Sequence, residues 1–445
     1  MALSRENTKV VVVGGGGTMG SSTALHLLRS GYTPSNITVL DVYPIPSAQS
    51  AGNDLNKIMG IRLRNKVDLQ LSIEARDMWR NDELFKPFFH NVGRLDCAHT
   101  EHGLKDLKQA YQALLDAGAG LEDTTEWLDS EDEILAKHPH LDREQIKGWK
   151  AVFSKDGGWL AAAKAINAIG EECRRKGVKF GFGGAGTFKQ PLFAPNSTTC
   201  IGVETTDGTH YHADKVVLAA GAWSPALIDL EDQCCSKAWV YAMIQLTPTE
   251  AQPYLNTPVV YNSDIGFFFE PTNDGTIKIC DEFPGFTHFQ QHSFPSTPDC
   301  PSPDKKLISI PRSHASNPTD TYPHTSELSI RRALSTFLPK FTQKPLFNRA
   351  MCWCTDTADA ALLICEHPRW KNFVVATGDS GHTFKLLPNI GMHVVEVLEG
   401  RLSEELSEAW RWRPGMGDAR RSRRAGRAVD LADVGGWKHD REAKL

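Results

Sequence analysis

The chain has 445 residues, 40% of them hydrophobic and 23% charged, with 49 Lys and Arg against 54 Asp and Glu for a net charge of −5. No run approaches the roughly 20 apolar residues of a membrane-spanning helix, the composition excludes collagen, coiled-coil and wholly disordered classes, and the net charge gives no general reason to bind nucleic acid. The charge is unevenly spread, however: residues 411–445 carry ten Lys and Arg against five Asp and Glu, a +5 tail on a −10 body.

Length alone suggests about three domains. In chain order, residues 9–13 (KVVVV) form a compact β-branched strand running into Gly14-Gly15-Gly16-Gly17-Thr18-Met19-Gly20. The register Gly15-x-Gly17-x-x-Gly20 is a dinucleotide fingerprint. Its first glycine permits a tight turn, the second lets backbone approach a pyrophosphate, and the third lets the helix pack on the strand. Ala24, Leu27 and Leu28 give that helix one apolar face, and Gly31 stops it. A second strand over 37–40 ends at Asp41, 21 residues beyond Gly20, placed to accept hydrogen bonds from a ribose hydroxyl. A glycine-rich turn that binds nothing would not require Asp41.

The motif alone does not separate NAD from FAD. Segments 215–223 (KVVLAAGAW) and 373–381 (FVVATGDSG) favour FAD, because each reads as a further buried strand returning to the same sheet. The later one leads into a helix over 389–398 whose N-terminus is expected to face an anion or a flavin carbonyl. Between the returns, 61–150 reads as mainly helical, with patterning in 72–80, 103–117 and 130–138; 161–176 is an amphipathic helix, and 178–193 is strand material broken by glycines. From 236 to 281 the pattern is β (AWVYAMIQL, PVVY, GFFFEP, TIKICDE), with Asn273-Asp274-Gly275 a hairpin turn. Residues 284–324 read as a long surface loop and 325–337 as a helix.

The expected class is α/β. A discontinuous Rossmann-type FAD-binding domain takes 1–60, 151–225 and 350–410. An α+β substrate domain on a largely antiparallel sheet takes 61–150 and 226–349, and the basic tail 411–445 closes over the active site. The N-terminus shows no signal-peptide pattern, so the ten irregularly spaced cysteines are not expected to form a disulfide framework. Without a C-x2-C pair, no metal site is expected. The last residues, Ala443-Lys444-Leu445, fit the small-basic-Leu peroxisomal address. They imply an import receptor as partner and a peroxisomal, otherwise cytoplasmic, location.

With these segments in place the chain resembles the fructosyl amino acid and fructosyl peptide oxidases (amadoriases), within the sarcosine oxidase-like branch of flavin amine oxidases. The resemblance covers nearly the whole chain. Its carriers are VVVGGGGTMGSSTALHLLRSGY, YPIPSAQSAGNDLNKI, DGGWLAAAKAINAIGE, GFFFEP, IKICDEFPG, RAMCWCTDTAD and TGDSGHTFKLLPNIG. It implies covalent FAD: the cysteine opening Cys-Trp-Cys, Cys352 here, is joined to the flavin 8α carbon through a thioether, with Cys354 the alternative. It places cofactor contacts at Gly15, Gly17, Thr18, Met19, Gly20, Asp41, Ser47, Asn53 and Lys57, and at Asp379, Gly381, Phe384 and Lys385 after the third return.

Lys278 lies in an alternating strand with Ile277 and Ile279 on the opposite face. The resemblance puts its charge beside the flavin, where it assists reduction of oxygen, with Asn56 helping to organise the proton and oxygen path. Glu282 would hold the substrate's amine or sugar hydroxyls, Asp281 pointing to the other side. Lys385 would bind the substrate carboxylate with a C-terminal arginine, Arg423 or Arg424; His382 reads as a packing residue. The implied activity is oxidative deglycation by a monomer: a fructosyl amino acid or short fructosyl peptide and oxygen yield glucosone, free amino acid or peptide, and hydrogen peroxide. The rivals are a sarcosine-type N-methyl amino acid oxidase, which would release formaldehyde, a catalytically silent FAD-binding protein and a nucleic-acid-binding tail.

Overall fold

The computed structural model describes residues 4–61, 65–118, 120–421 and 426–434. The chain opens with β1 (Val10–Val13), α1 (Thr18–Arg29) and β2 (Ile37–Leu40). A first excursion lays down α2 (Lys66–Asn81), β3 (Arg94–Ala98), α3 (Glu101–Asp116), β4 (Thr125–Leu128), α4 (Glu131–Lys137) and β5 (Lys150–Ser154). The chain returns through α5 (Ala162–Lys176), β6 (Lys179–Gly181) and β7 (Lys215–Leu218). A second excursion adds β8 (Cys234–Gln245), β9 (Val259–Asn262), β10 (Gly266–Phe268), β11 (Thr276–Asp281), β12 (Phe286–Thr287), α6 (His324–Phe337) and the long β13 (Phe347–Thr357). The last return supplies β14 (Leu363–Glu366), β15 (Phe373–Thr377) and α7 (Ile390–Leu398); the tail adds β16 (Val429–Asp430).

Two sheets organise these elements. The first has the order β14-β15-β7-β1-β2-β6, parallel except where β14 pairs with β15. All four β1 valines are buried because both faces are covered. Val10 and Val12 pack toward α1, α5 and α7, and Val11 and Val13 toward the strands Phe188–Phe193 and Cys200–Thr205. The second sheet has ten strands, in the order β16-β12-β8-β11-β10-β9-β3-β5-β4, with β13 also on β8. The three visits to the nucleotide sheet are as expected. So is the hairpin between β10 and β11, where Gly275 takes φ +83° and its N–H reaches Thr272 O at 2.8 Å.

Three expectations change. Residues 61–150 contain β3, β4 and β5 as well as helices. These short strands bury one face, Leu95, Cys97, Leu128 and Ala151 joining the core under β8 and β11, and four or five residues give alternation little room to show. Residues 284–324 are not one loop: Phe289–His292 and Lys306–Ser309 pair as a hairpin, and β12 receives the tail strand β16. The lobe boundaries move, since β5 (from Lys150) and β13 (to Thr357) both belong to the second sheet. The first turn of α7 packs on α1. Its Gly391 N–H bonds the Ser22 hydroxyl at 2.9 Å. A Cβ at Gly391 would meet Ser22 O at 2.1 Å, so this glycine permits the close crossing of α7 on α1.

The tail is anchored along its described length. Arg413 is buried and paired with Asp359 at 2.9 Å, Trp412 bonds Glu231, and the fully buried Lys237 donates to Arg421 O at 2.9 Å. Arg423, Arg424 and Ala443-Lys444-Leu445 lie outside the described residues.

Candidate active site

A continuous cavity runs from the glycine turn, under β7 and along β11 and β13, to the loop after β15. At its nucleotide end the glycines divide the work differently from the expectation. Gly14, not Gly15, takes the positive φ (+83°) of the turn. A Cβ at Gly15 would strike Val39 Cγ1 at 2.0 Å, and one at Gly20 would strike Gly14 O at 2.3 Å. Gly17 caps α1 without a side-chain bond and lines the cavity with Thr18 and Met19, leaving helix-start amides to meet phosphate. Asp41 also lines the cavity; its carboxylate accepts the N–H of Gly16 (2.9 Å) and Tyr43 (3.2 Å). Burial pushes its pKa up, against those hydrogen bonds. Ser47 is buried in the same wall, its N–H on Gly16 O at 3.1 Å.

The far end holds a buried charge cluster. The β11 alternation sends Ile277 and Ile279 into the core and Lys278 into the cavity. Lys278 Nζ pairs with Asp54, donates to Asn56 O at 3.2 Å, and lies 4.7 Å from the Tyr241 ring centre. Asp54 pairs also with Lys57 at 2.8 Å. Burial opposes its ionisation, but the two lysines outweigh that and hold its pKa down at about 2. Lys57 Nζ lies 3.6 Å from Cys352 Sγ. The hydrogen bond with Cys354, with Lys57 behind it, lowers the Cys352 pKa against burial, so the thiolate is favoured at Cys352 and disfavoured at Cys354. Between a lysine and a partner thiol, Cys352 has the setting of a nucleophilic cysteine.

The loop after β15 brings Asp379, Gly381, Phe384 and Lys385 into the wall. Asp379 accepts the N–H of Thr355 and of Gly381, each at 3.1 Å, and burial raises its pKa to about 7. Lys385 Nζ reaches Gly60 O at 3.4 Å, and Trp79 Nε1 fixes the Lys385 carbonyl at 2.7 Å. His382 also lines the cavity and bonds Ala360 O at 3.0 Å.

Four of the described sequence-chosen residues sit apart from this wall: Gly15 and Gly20, which serve the turn and helix packing, and Asn53 and Glu282. Asn53 is exposed and faces a neighbouring chamber, while the adjacent Asp54 takes the buried position. Glu282 follows β11, half-buried, and is not in the cavity lining; Asp281 is. Burial raises the Asp281 pKa to about 6. Sequence reading missed Asp54 and Arg94, and the rings of Tyr241, Tyr261 and Phe267. Arg94 is buried in the wall, paired with Asp96 at 2.5 Å and 5.3 Å from the Tyr261 ring centre. Its place opposite Ser154 in the register of β3 with β5 puts it out of phase with the core-facing Leu95, a phase only visible once β3 is known to be a strand.

The donor set fits a flavin dinucleotide. Glycine amides and Asp41 stand at one end, and a cation and an attachable thiolate at the other. The Asn56 side chain between them is buried in the wall with neither Nδ2 nor Oδ1 bonded to protein, as a ligand-facing amide would be. Gly381 (φ +69°) has nothing within 4 Å of an added Cβ, leaving room for a ring edge.

Comparison with known proteins agrees. Residues 9–397 match the family model of FAD dependent oxidoreductases. The structure superposes on that of fructosyl peptide oxidase from E. terrenum with TM-score 0.96 and 70% identity, covering 100% of both chains. Amadoriase II from Aspergillus fumigatus, solved in complex with FSA, gives TM-score 0.85 and 34% identity over 97% of each chain. L-saccharopine oxidase of Schizosaccharomyces pombe is 33% identical over 423 residues, 91% of this chain and 93% of that one. The chain belongs to the FAD-dependent oxidoreductase family, in the branch of the fructosyl peptide oxidases or amadoriases.

Proposed function

We propose that this chain oxidatively deglycates fructosyl amino acids and short fructosyl peptides, with FAD attached through Cys352 Sγ to the flavin 8α carbon. The observation that carries the substrate class is the 70% identity, over the whole of both chains, to a fructosyl peptide oxidase. When bound, FAD supplies the two-electron acceptor for oxidation of the carbon joining sugar and amine, and oxygen receives those electrons as hydrogen peroxide. The oxidised substrate is an imine, which hydrolyses to glucosone and the free amino acid or peptide.

The chain's residues bind, orient and hold charge. The amides at Thr18 and Met19 receive pyrophosphate, and Asp41 the ribose. Lys57 keeps the Cys352 thiolate available for attachment. Lys385 takes the substrate carboxylate, and Glu282, half-buried beside the cavity-lining Asp281, is given the amine or sugar hydroxyls by the family resemblance alone. Lys278, fixed by Asp54, presents positive charge where oxygen gains an electron. Asn56, whose carbonyl accepts from Lys278, lines the path between the lysine and the ring edge. The same reading includes a monomer carried to the peroxisome by a receptor for Ala443-Lys444-Leu445, a compartment suited to a peroxide producer. Peroxide and glucosone from fructosyl-valine, with none from sarcosine, is the expected assay result. Peroxide and formaldehyde from sarcosine alone would replace it with the N-methyl amino acid oxidase.

A further inference from the structure

A second chamber lies against the flavin cavity. It measures about 560 Å³ and is walled by residues 48–54, the loop 313–321 and the start of β13. Pro318, Phe347 and Asn348 line it and are exposed, so it reaches solvent. Its inner end is formed by Asp54, Tyr241 and Cys352, which also line the flavin cavity. Two of these touch Lys278: Asp54 through the ion pair and Tyr241 through its ring. The groups suited to an anionic substrate, Lys385 and Arg94, line only the first cavity. The chamber's own guanidinium, Arg349, is held by Glu327 at 3.0 Å, and the chamber leads to Lys278 from a side apart from the Lys385 end of the first cavity.

We propose that this chamber is a second entrance, through which dioxygen reaches Lys278 and hydrogen peroxide leaves while the first cavity is occupied. The proposal rests on oxygen being the electron acceptor. Each O2 takes two electrons from the reduced cofactor and two protons to leave as H2O2; the chamber conducts both species and exchanges no electrons. A small neutral molecule needs no charged clamp, only a passage, and the wall's Ser313 and Thr321 hydroxyls and Asn348 amide suit water and peroxide.

Narrowing the passage tests this. Ala350 lies on β13 two residues from Cys352, hence on the same face, and lines the chamber but not the flavin cavity. Ala350→Phe constricts the inner end and Pro318→Trp the exposed rim. Holoenzyme is reduced anaerobically with dithionite and mixed with oxygenated buffer. Each variant should reoxidise about fivefold more slowly, while anaerobic reduction by fructosyl-valine stays within about twofold of the parent. Reoxidation at the parent rate in both variants overturns the proposal, as does equal slowing of reduction and reoxidation. Should Ala350→Phe fail to load flavin, Pro318→Trp, at a surface position, decides. Because dithionite replaces the sugar substrate, a parent that fructosyl-valine cannot reduce would count against the deglycation reading alone.

Discussion

Replacing Asp54 by asparagine removes the one negative charge between Lys278 and Lys57 while keeping the shape of the side chain. Both ion pairs are buried or nearly so: the side chains of Asp54 and Lys278 are 4% and 3% exposed, that of Lys57 23%. Breaking a buried pair by removing one partner costs about 3–5 kcal/mol. The amide oxygen can still accept from one lysine, which puts the loss near the lower end, about 3 kcal/mol. At about 2.1 cal/mol/K per residue the unfolding entropy of a chain this long is about 0.9 kcal/mol/K, so the melting temperature should fall by about 3 °C.

The pH dependence carries a sign. The Asp54 pKa is held down at about 2, from an ordinary 3.8. Its contribution is therefore fully present above about pH 4 and is lost as pH falls through about 2, a contribution of about 2 kcal/mol. Melts of parent and variant holoenzyme from pH 7 down to about pH 3 measure this; the gap between them should narrow at the acid end. Equal melting temperatures at pH 7, or a gap that widens on acidification, would refute the assigned role of Asp54.

Three further substitutions report on the site. Cys352→Ala should release flavin into the supernatant on acid precipitation, whereas a flavin still tethered would remove Cys352 as the attachment point. Lys278→Met should slow reoxidation by oxygen about 100-fold and leave anaerobic reduction nearly unchanged; equal slowing of the two half-reactions would separate Lys278 from the oxygen step. Lys385→Ala deletes a charge-assisted hydrogen bond worth about 1.5–3 kcal/mol, so KM for fructosyl-valine should rise about 10- to 100-fold, and an unchanged KM would exclude it from the carboxylate clamp.

What could be read in advance follows from how local each determinant is. The β1–turn–α1–β2 unit was legible because consecutive valines, glycines and Asp41 lie within one stretch of chain. The placement of Lys278 was legible because strand alternation alone sends it away from Ile277 and Ile279. Asp54 was not, since a loop acid is driven inside by lysines, and one of them, Lys278, lies 224 residues away. Gly14 was passed over for Gly15 because four glycines in a row do not say which one takes the positive φ. The strands β3, β4 and β5 hid among helices because each is four or five residues long, and β3 joins the rest of the sheet through β9, which comes from the second excursion. Arg94 and Tyr261 reach the cavity only through that pairing.

The most direct test of the account is the visible spectrum of the purified holoenzyme before and after anaerobic addition of fructosyl-valine. The account predicts that the flavin band bleaches with fructosyl-valine, persists with sarcosine, and returns on admitting oxygen with release of hydrogen peroxide. A band unchanged by any fructosyl amine, or bleached by sarcosine alone, would contradict it.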